Sequence, residues 1–273
     1  MTEKHLGIKR VKLLGTAVAV TSPEEAAERL AAEKEGRKGK YITFCNVHTL
    51  MTLRKDPDYR AAQQEACVVM PDGKPLAWCL KKRGHGDACQ VAGPDFMRRM
   101  LEKGGRHYFY GASPETLEKL ENVVRERYPQ TVVAGMEAPP FRKLEEEEER
   151  AAVDRMNEAR ADYIWIGLGA PKQEYFMQRN AKFAEGVMLG VGAAFDFHAG
   201  TVERAPEWMR SLGLEWLYRL LQDPGRLWKR YLVTNTEFAA LMPFYLGHRM
   251  ISRMLSERSE REKDSSTRFA RSE

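Results

Sequence analysis

Asp72, in "VVMPDGKPLAW", closes an apolar run and is followed by Gly73. A carboxylate at the carboxyl end of a strand can accept a proton from a reacting hydroxyl, although Asp-Gly is equally ordinary turn chemistry. His48, in "CNVHTL", could share that role or be a satisfied structural histidine. Asp196 and His198, in "AAFDFHAG", alternate as neighbours on one face of a strand would, but two ligands without a third cluster make a poor metal site, and no metal is expected.

Three glycine turns could cradle phosphate: Gly111-Ala112-Ser113, the stretch Gly167 to Gln173, and Gly190-Val191-Gly192-Ala193. Each alone is what any α/β protein needs to turn, whereas three together favour a nucleotide. In "WIGLGAPKQEYFM", Gly169 is followed by Pro171, which removes a backbone donor, and no third glycine completes a dinucleotide fingerprint. Lys172, Gln173 and Glu174 fall in the first turn of the following helix and are expected to face the crevice.

The elements that must position these residues are short apolar runs alternating with helix-like segments. "YITFCNVHTL" precedes "DPDYRAAQQEA", "RHYFYGAS" precedes "PETLEKLENVVRERYP", and "DYIWIGLGA" precedes "PKQEYFMQRNAKF". Such alternation implies an α/β fold, Rossmann-like, with a mostly parallel sheet and flanking helices, whose ligands bind beyond the carboxyl ends of the strands. Ser22 before Pro23, Glu24 and Glu25 marks a helix start. The acidic run Glu145 to Glu149 is expected to open a solvated helix. After Gly200 the strand pattern stops and two or three helices follow, broken near Asp223-Pro224 and at Pro243. The expected division is an α/β core over 1–203, a helical C-terminal appendage over 204–250, and a polar, disordered tail over 251–273.

With 273 residues, 43% hydrophobic, the chain can bury a full core. Its four cysteines form no CxxC pair and read as reduced thiols of a cytoplasmic protein. No run approaches the ~18 apolar residues that span a bilayer, and no apolar leader follows the N-terminus. From Arg204 to Arg253 eight basic residues face four acidic ones, so most of the net charge of +5 lies there. No nucleic-acid motif accompanies it. The interleaved Trp208, Trp216, Tyr218, Trp228 and Tyr231 suit an anionic membrane surface, or burial against the core or a neighbouring copy in a homo-oligomer.

Taken together, "NVHTL", "MPDGKPLAW", "VAGPDFM", "FYGASPETLEKL", "APPFRKL", "WIGLGAPKQE", "GVGAAFDFHAGTVERAPEWM" and "GLEWLYRLLQDPGRLWKRYL" resemble the WecG/TagA/CpsF glycosyltransferases of bacterial surface-polysaccharide synthesis. The likeness runs from about Val11 to Leu232. It implies a UDP-sugar donor, transfer with inversion of a hexose-type sugar (N-acetylmannosamine, a uronic acid or a hexose) to a polyprenyl-diphosphate-linked saccharide, and no cofactor. It also implies a place on the inner face of the cell membrane. The family's proposed base falls on Asp72 and its GAPKQE glutamine on Gln173; Asn46, Gly93 and Asp95 lie in matching motifs. Where some relatives have a threonine two residues before Asn46, this chain has Phe44.

The chemistry agrees with one carboxylate as base for a single displacement. The leaving UDP then needs positive charge, for which Arg204 and the basic C-terminal segment are candidates. An NAD-dependent nucleotide-sugar dehydrogenase or epimerase would need GxGxxG or Tyr-x-x-x-Lys, and neither is present. A non-catalytic nucleotide-binding membrane scaffold would leave Asp72 dispensable.

Overall fold

The computed structural model describes residues 6–33 and 36–269, with side chains apart from those of residue 226 and of 248–269. Its centre is a six-stranded sheet of β3 (Tyr41–Cys45), β4 (Val68–Pro71), β5 (Gly105–Gly111), β6 (Thr131–Glu137), β7 (Tyr163–Gly167) and β8 (Val187–Gly190) in the order β4-β3-β8-β7-β5-β6. Every pairing in it is parallel. A strand covered on both sides must be apolar throughout, and all five residues of β3 are buried. The N-terminal run "VKLLGTAVAV" is instead a separate antiparallel hairpin, β1 (Arg10–Leu13) and β2 (Thr16–Ala19), turned at Leu14 and Gly15, both with positive φ. It packs along β4.

Alternation along each strand sends side chains to two cores. On one face Cys45, Ile164, Ile166, Tyr110 and Met188 meet α2 (Val47–Thr52), α3 (Pro57–Glu65), α4 (Lys74–Lys82), α7 (Glu146–Glu158) and α8 (Lys172–Asn180). On the other, Ile42, Phe109, Trp165 and Leu189 meet α1 (Pro23–Ala32), α5 (Gly93–Lys103), α6 (Pro114–Arg127) and α9 (Ala194–Ala199). The chain therefore leaves β3 into α2 on one face and leaves its neighbour β8 into α9 on the other. A crevice opens at such a point.

The expected helix starts form as side-chain caps: Ser22, Asp56 and Ser113 each accept from the backbone N–H three residues on. The acidic run opens α7, with Glu145 and Glu148 forming a capping box. Its last member departs from a solvated face. Glu149 is buried and accepts from Arg179 (2.6 and 3.0 Å) and from Asn180 (2.7 Å) on α8.

Beyond α9 come α10 (Glu207–Ser211), α11 (Glu215–Gln222) and α12 (Pro224–Phe269). The break at Asp223-Pro224 is as expected, but α12 continues through Pro243 and the helical backbone reaches Phe269, across the stretch expected to be disordered. Residues 204–250 are also less detached than the word appendage suggests. Leu227 and Met242 are buried, Phe238, Leu241 and Tyr245 pack on the first core, and Lys55 pairs with Glu237 at 2.7 Å. Among the described residues no helix is long and apolar enough to cross a membrane.

Candidate active site

Two backbone devices aim Asp72. Its N–H donates to the Cys45 carbonyl (2.8 Å), extending the β3–β4 ladder one step past β4. Gly73 then takes φ +109°, which glycine alone adopts freely, and starts α4, so the carboxyl is left at the crevice rather than folded back on the sheet. Asn46 stands beside it as the cap of α2: its Oδ1 accepts from the Thr49 N–H (3.0 Å), and its side chain hydrogen-bonds Asp72.

These groups line a cleft of about 330 Å³ over the carboxyl ends of β4, β3 and β8, a volume at the small end of ligand sites. The start of α5 at Gly93 and the turn from Val191 to Ala194 form one side. Helices α10 to α12 close it from above with Arg210, Glu215, Trp216, Arg219, Tyr231 and Asn235. Burial raises the Asp72 pKa to about 7, and the Glu215 carboxylate pushes the same way, while Arg219, the Asn46 hydrogen bond and Arg204 oppose it. A carboxylate poised there can both exist ionised and hold a proton. His48 is different. Burial, then Arg230, lowers its pKa to about 4, and its Nδ1 is buried with no partner among the described residues. It is a neutral imidazole and a weaker base than Asp72.

The cleft thus gathers Asn46, His48, Asp72 and Gly93. Asp95 and Arg204 line a second cavity next door, of about 320 Å³, sharing Lys74, Gln90, Arg210 and Glu215 with the first. Arg204 is already occupied. Its guanidinium forks onto both Asp95 oxygens (2.7 and 2.8 Å) and its Nε donates to Glu215 (3.0 Å), so the charge expected to meet a leaving group is here shared between two carboxylates.

Gly111, Gly169, Pro171, Lys172, Gln173, Glu174, Gly190, Gly192 and Asp196 do not line this cleft. At Gly111 a Cβ would lie 2.6 Å from the Gly167 carbonyl carbon, so close backbone packing explains that glycine; at Gly190 it would meet the flexible end of Met177, 2.5 Å from Cε. Gly169 and Gly192, with φ +76° and +54°, turn the chain after β7 and β8. Pro171 and Lys172 are exposed at the start of α8. Gln173 and Glu174 are not crevice-facing. They are 4% and 0% exposed, and Gln173 Nε2 donates to the Gly190 carbonyl and to Glu174 Oε1, both at 3.0 Å. Gln173 therefore braces from beneath the turn that walls the cleft. Asp196 and His198 lie on α9, not on a strand, where positions two apart diverge. Asp196 takes Thr116 and Thr201 hydroxyls, and the His198 ring meets the Pro94 carbonyl (2.9 Å). Among the described residues no three acidic, histidine or cysteine side chains are grouped to hold a metal.

Missed from the sequence were the cleft roles of Lys74, Phe197 and Glu215, whereas Arg219 lies in the basic C-terminal segment expected to lend charge to the site. The i, i+4 spacing of Glu215 and Arg219 puts both on one face of α11, but nothing in it says that α11 folds back over β3.

Residues 11–251 match the model of the "Glycosyl transferase WecG/TagA/CpsF family". The chain belongs to this family. As a WecG/TagA/CpsF glycosyltransferase it is an enzyme of sugar transfer, of hexosyltransferase type. It is 29% identical over 223 residues, 77% of this chain and 84% of the relative, to the N-acetylglucosaminyldiphosphoundecaprenol N-acetyl-beta-D-mannosaminyltransferase of Bacillus spizizenii. A Bacillus subtilis protein of the same name is 29% identical over 199 residues, 71% of this chain and 75% of the relative. The match extends through α10 and α11 into α12, so the helices that roof the cleft of this glycosyltransferase lie within the shared region.

Proposed function

We propose that the enzyme transfers a hexose-type sugar, such as N-acetylmannosamine, from a UDP donor to a polyprenyl-diphosphate-linked saccharide, with inversion, in surface-polymer synthesis. The observation that carries this reading is Asp72, a carboxyl with a pKa of about 7 at the floor of a cleft roofed by cationic side chains. The names of the two Bacillus relatives supply the acceptor and sugar class. The acceptor hydroxyl attacks the anomeric carbon as its proton passes to the Asp72 carboxylate. The bond to the UDP oxygen breaks, and UDP leaves with the electron pair. One displacement inverts the anomeric centre. Lys74, Arg210 and Arg219 line the cleft and would meet the diphosphate charge; Arg219 also lies 5.5 Å from the Phe197 ring centroid. The glycine turns after β5, β7 and β8 sit at the same edge of the sheet and would hold the nucleotide, with Lys172 and Asp196 nearby, while Gln173 and Glu174 support the turn from below.

The helices above the cleft expose Trp208 (61%), Leu221 (70%), Leu212, Trp228 and Leu232 beside arginines and lysines. An anionic membrane surface suits that face, placing the enzyme peripherally on the inner leaflet, where a polyprenyl acceptor is held. The deciding experiment is Asp72→Asn in a UDP-release assay with a GlcNAc-diphosphoryl polyprenol acceptor. Loss of about 10²- to 10⁴-fold in kcat is expected of a general base. Activity within a few-fold of the parent, with His48→Ala inactive instead, would transfer the role to His48.

A further inference from the structure

Helix α11 brings Glu215, Trp216 and Arg219 to the cleft yet has no buried residue of its own. Leu217, Tyr218 and Leu220 are only half-buried, so the apolar burial that docks most surface helices onto a core is weak here. Trp216 packs at a tilt on Tyr231 of α12 (5.8 Å between centroids), and two polar ties, Gln222 to the Glu203 carbonyl (3.2 Å) and Tyr218 to the Glu203 side chain, reach only the loop between α9 and α10. Two further contacts reach the core, the Arg219 guanidinium over the Phe197 ring of α9 (5.5 Å) and, through Trp216, the packed helix α12; Arg204 adds the ion-paired tie. It joins Glu215, in the first turn of α11, to Asp95, in the first turn of α5. The three side chains are partly withdrawn from solvent, at 20%, 23% and 33% exposure. A two-point guanidinium fork in that setting fixes orientation as well as distance.

We propose that Arg204 is a positioning residue: clasped between Asp95 and Glu215, it holds α11 closed over the cleft and so sets where Arg219 stands relative to Asp72, which presupposes the reading of Asp72 as the base. Arg204 would not touch substrate. It also keeps Glu215 paired, and Glu215 is the one other carboxylate lining the cleft among the described residues. The charged or titratable groups acting on or lining the cleft with Asp72 are Cys45 of β3, His48 of α2, Lys74 of α4, Arg204 before α10, Arg210 of α10, Glu215 and Arg219 of α11, and Tyr231 of α12. An unpaired Glu215 would set a bare negative charge against Asp72 and make its proton harder to lose.

The test is a cycle of Arg204→Gln, Glu215→Gln and the double variant in the full chain, with Arg204→Lys as the conservative arm. Displacing a catalytic group by about 1 Å can cost on the order of 10²-fold in rate, so Arg204→Gln should lower kcat by about that factor, with Arg204→Lys in between. UDP affinity, read by thermal shift, should weaken by less than kcat falls, because Lys74 and Arg210 still line the cleft while Arg219 is displaced. Because both residues act through one clasp, the double variant should lose no more than Arg204→Gln alone. The acidic limb of the Arg204→Gln pH profile should move to higher pH and return part of the way in the double variant, because the Arg204 charge, which also favours ionised Asp72, is gone from both. Losses that multiply, a raised donor KM with kcat unchanged, or an unmoved pH limb would each overturn the clasp. Asp72→Asn run in parallel separates the two readings: if that variant stays active the base assignment falls, while the kcat cycle still judges the clasp.

Discussion

Glu174 sits with 0% exposure under the cleft floor, and burial raises its pKa from 4.5 to about 7, against the opposing hydrogen bonds from Gln173 and the backbone. At about 1.4 kcal/mol per tenfold change in proton affinity, an ionised Glu174 costs the fold about 3 kcal/mol. The sign follows from proton uptake. Between pH 4.5 and 7 the native state holds a proton that the unfolded chain has released, so this group's contribution to stability falls as pH rises and levels off above 7. Glu174→Gln removes the titration while keeping an oxygen to accept from Gln173 Nε2. Its new NH2 replaces Glu174 Oε2, which has no partner among the described residues, and an unsatisfied amide costs about 1–3 kcal/mol at every pH. The absolute difference between variant and parent thus mixes two effects, but its change with pH reports only one. Urea unfolding of both proteins from pH 4 to pH 8 should show the variant gaining about 3 kcal/mol on the parent across that range. A difference that stays flat would mean that Glu174 does not titrate in the fold with a raised pKa, and that the floor beneath the cleft is polarised otherwise.

Other outcomes follow from the same structure. With Asp72 needed ionised and its pKa near 7, kcat/KM should rise with pH to a plateau with a midpoint near 7; a flat profile from pH 5.5 to 8 would exclude it as the base. Gly111→Ala should destabilise by at least about 1–3 kcal/mol, since φ is +134° and the new Cβ meets the Gly167 backbone at 2.6 Å; an unchanged urea midpoint would contradict that packing. Deleting 224–273 uncovers α2 and removes buried Leu227 and Met242, each worth about 1.5–3 kcal/mol. The shortened chain should unfold earlier and no longer pellet with anionic liposomes, and unchanged stability would show α12 to be a detached appendage after all.

The sheet was legible because parallel strands are covered on both faces and read as unbroken apolar runs, as Tyr41–Cys45 and Tyr163–Gly167 do. Asp72 was legible because a strand end followed by glycine leaves few places for a side chain to go. The readings that failed did so for local reasons. In "AAFDFHAG" the two phenylalanines mimic a strand's alternation, but Phe195 is buried in the core and Phe197 reaches the cleft from a six-residue helix. Polar Gln173 and Glu174 are driven inward by the turn of α8 onto β8, a tertiary circumstance that polarity argues against. The roof was legible only as a basic segment that could lend charge to the site, since a basic, aromatic helix looks the same whether it meets lipid or folds back over Asp72.

Asn46 separates two properties that usually travel together. As a helix cap, aspartate, asparagine and serine are nearly equivalent, so a requirement that the chain merely fold would accept any of them before Val47. What distinguishes the amide is its other end, because with Oδ1 committed to the Thr49 N–H it is the NH2 that meets Asp72. Asn46→Asp would keep the cap and set two carboxyls against each other. The helix would start as before, and the loss would fall on the ionisation of Asp72 and so on turnover.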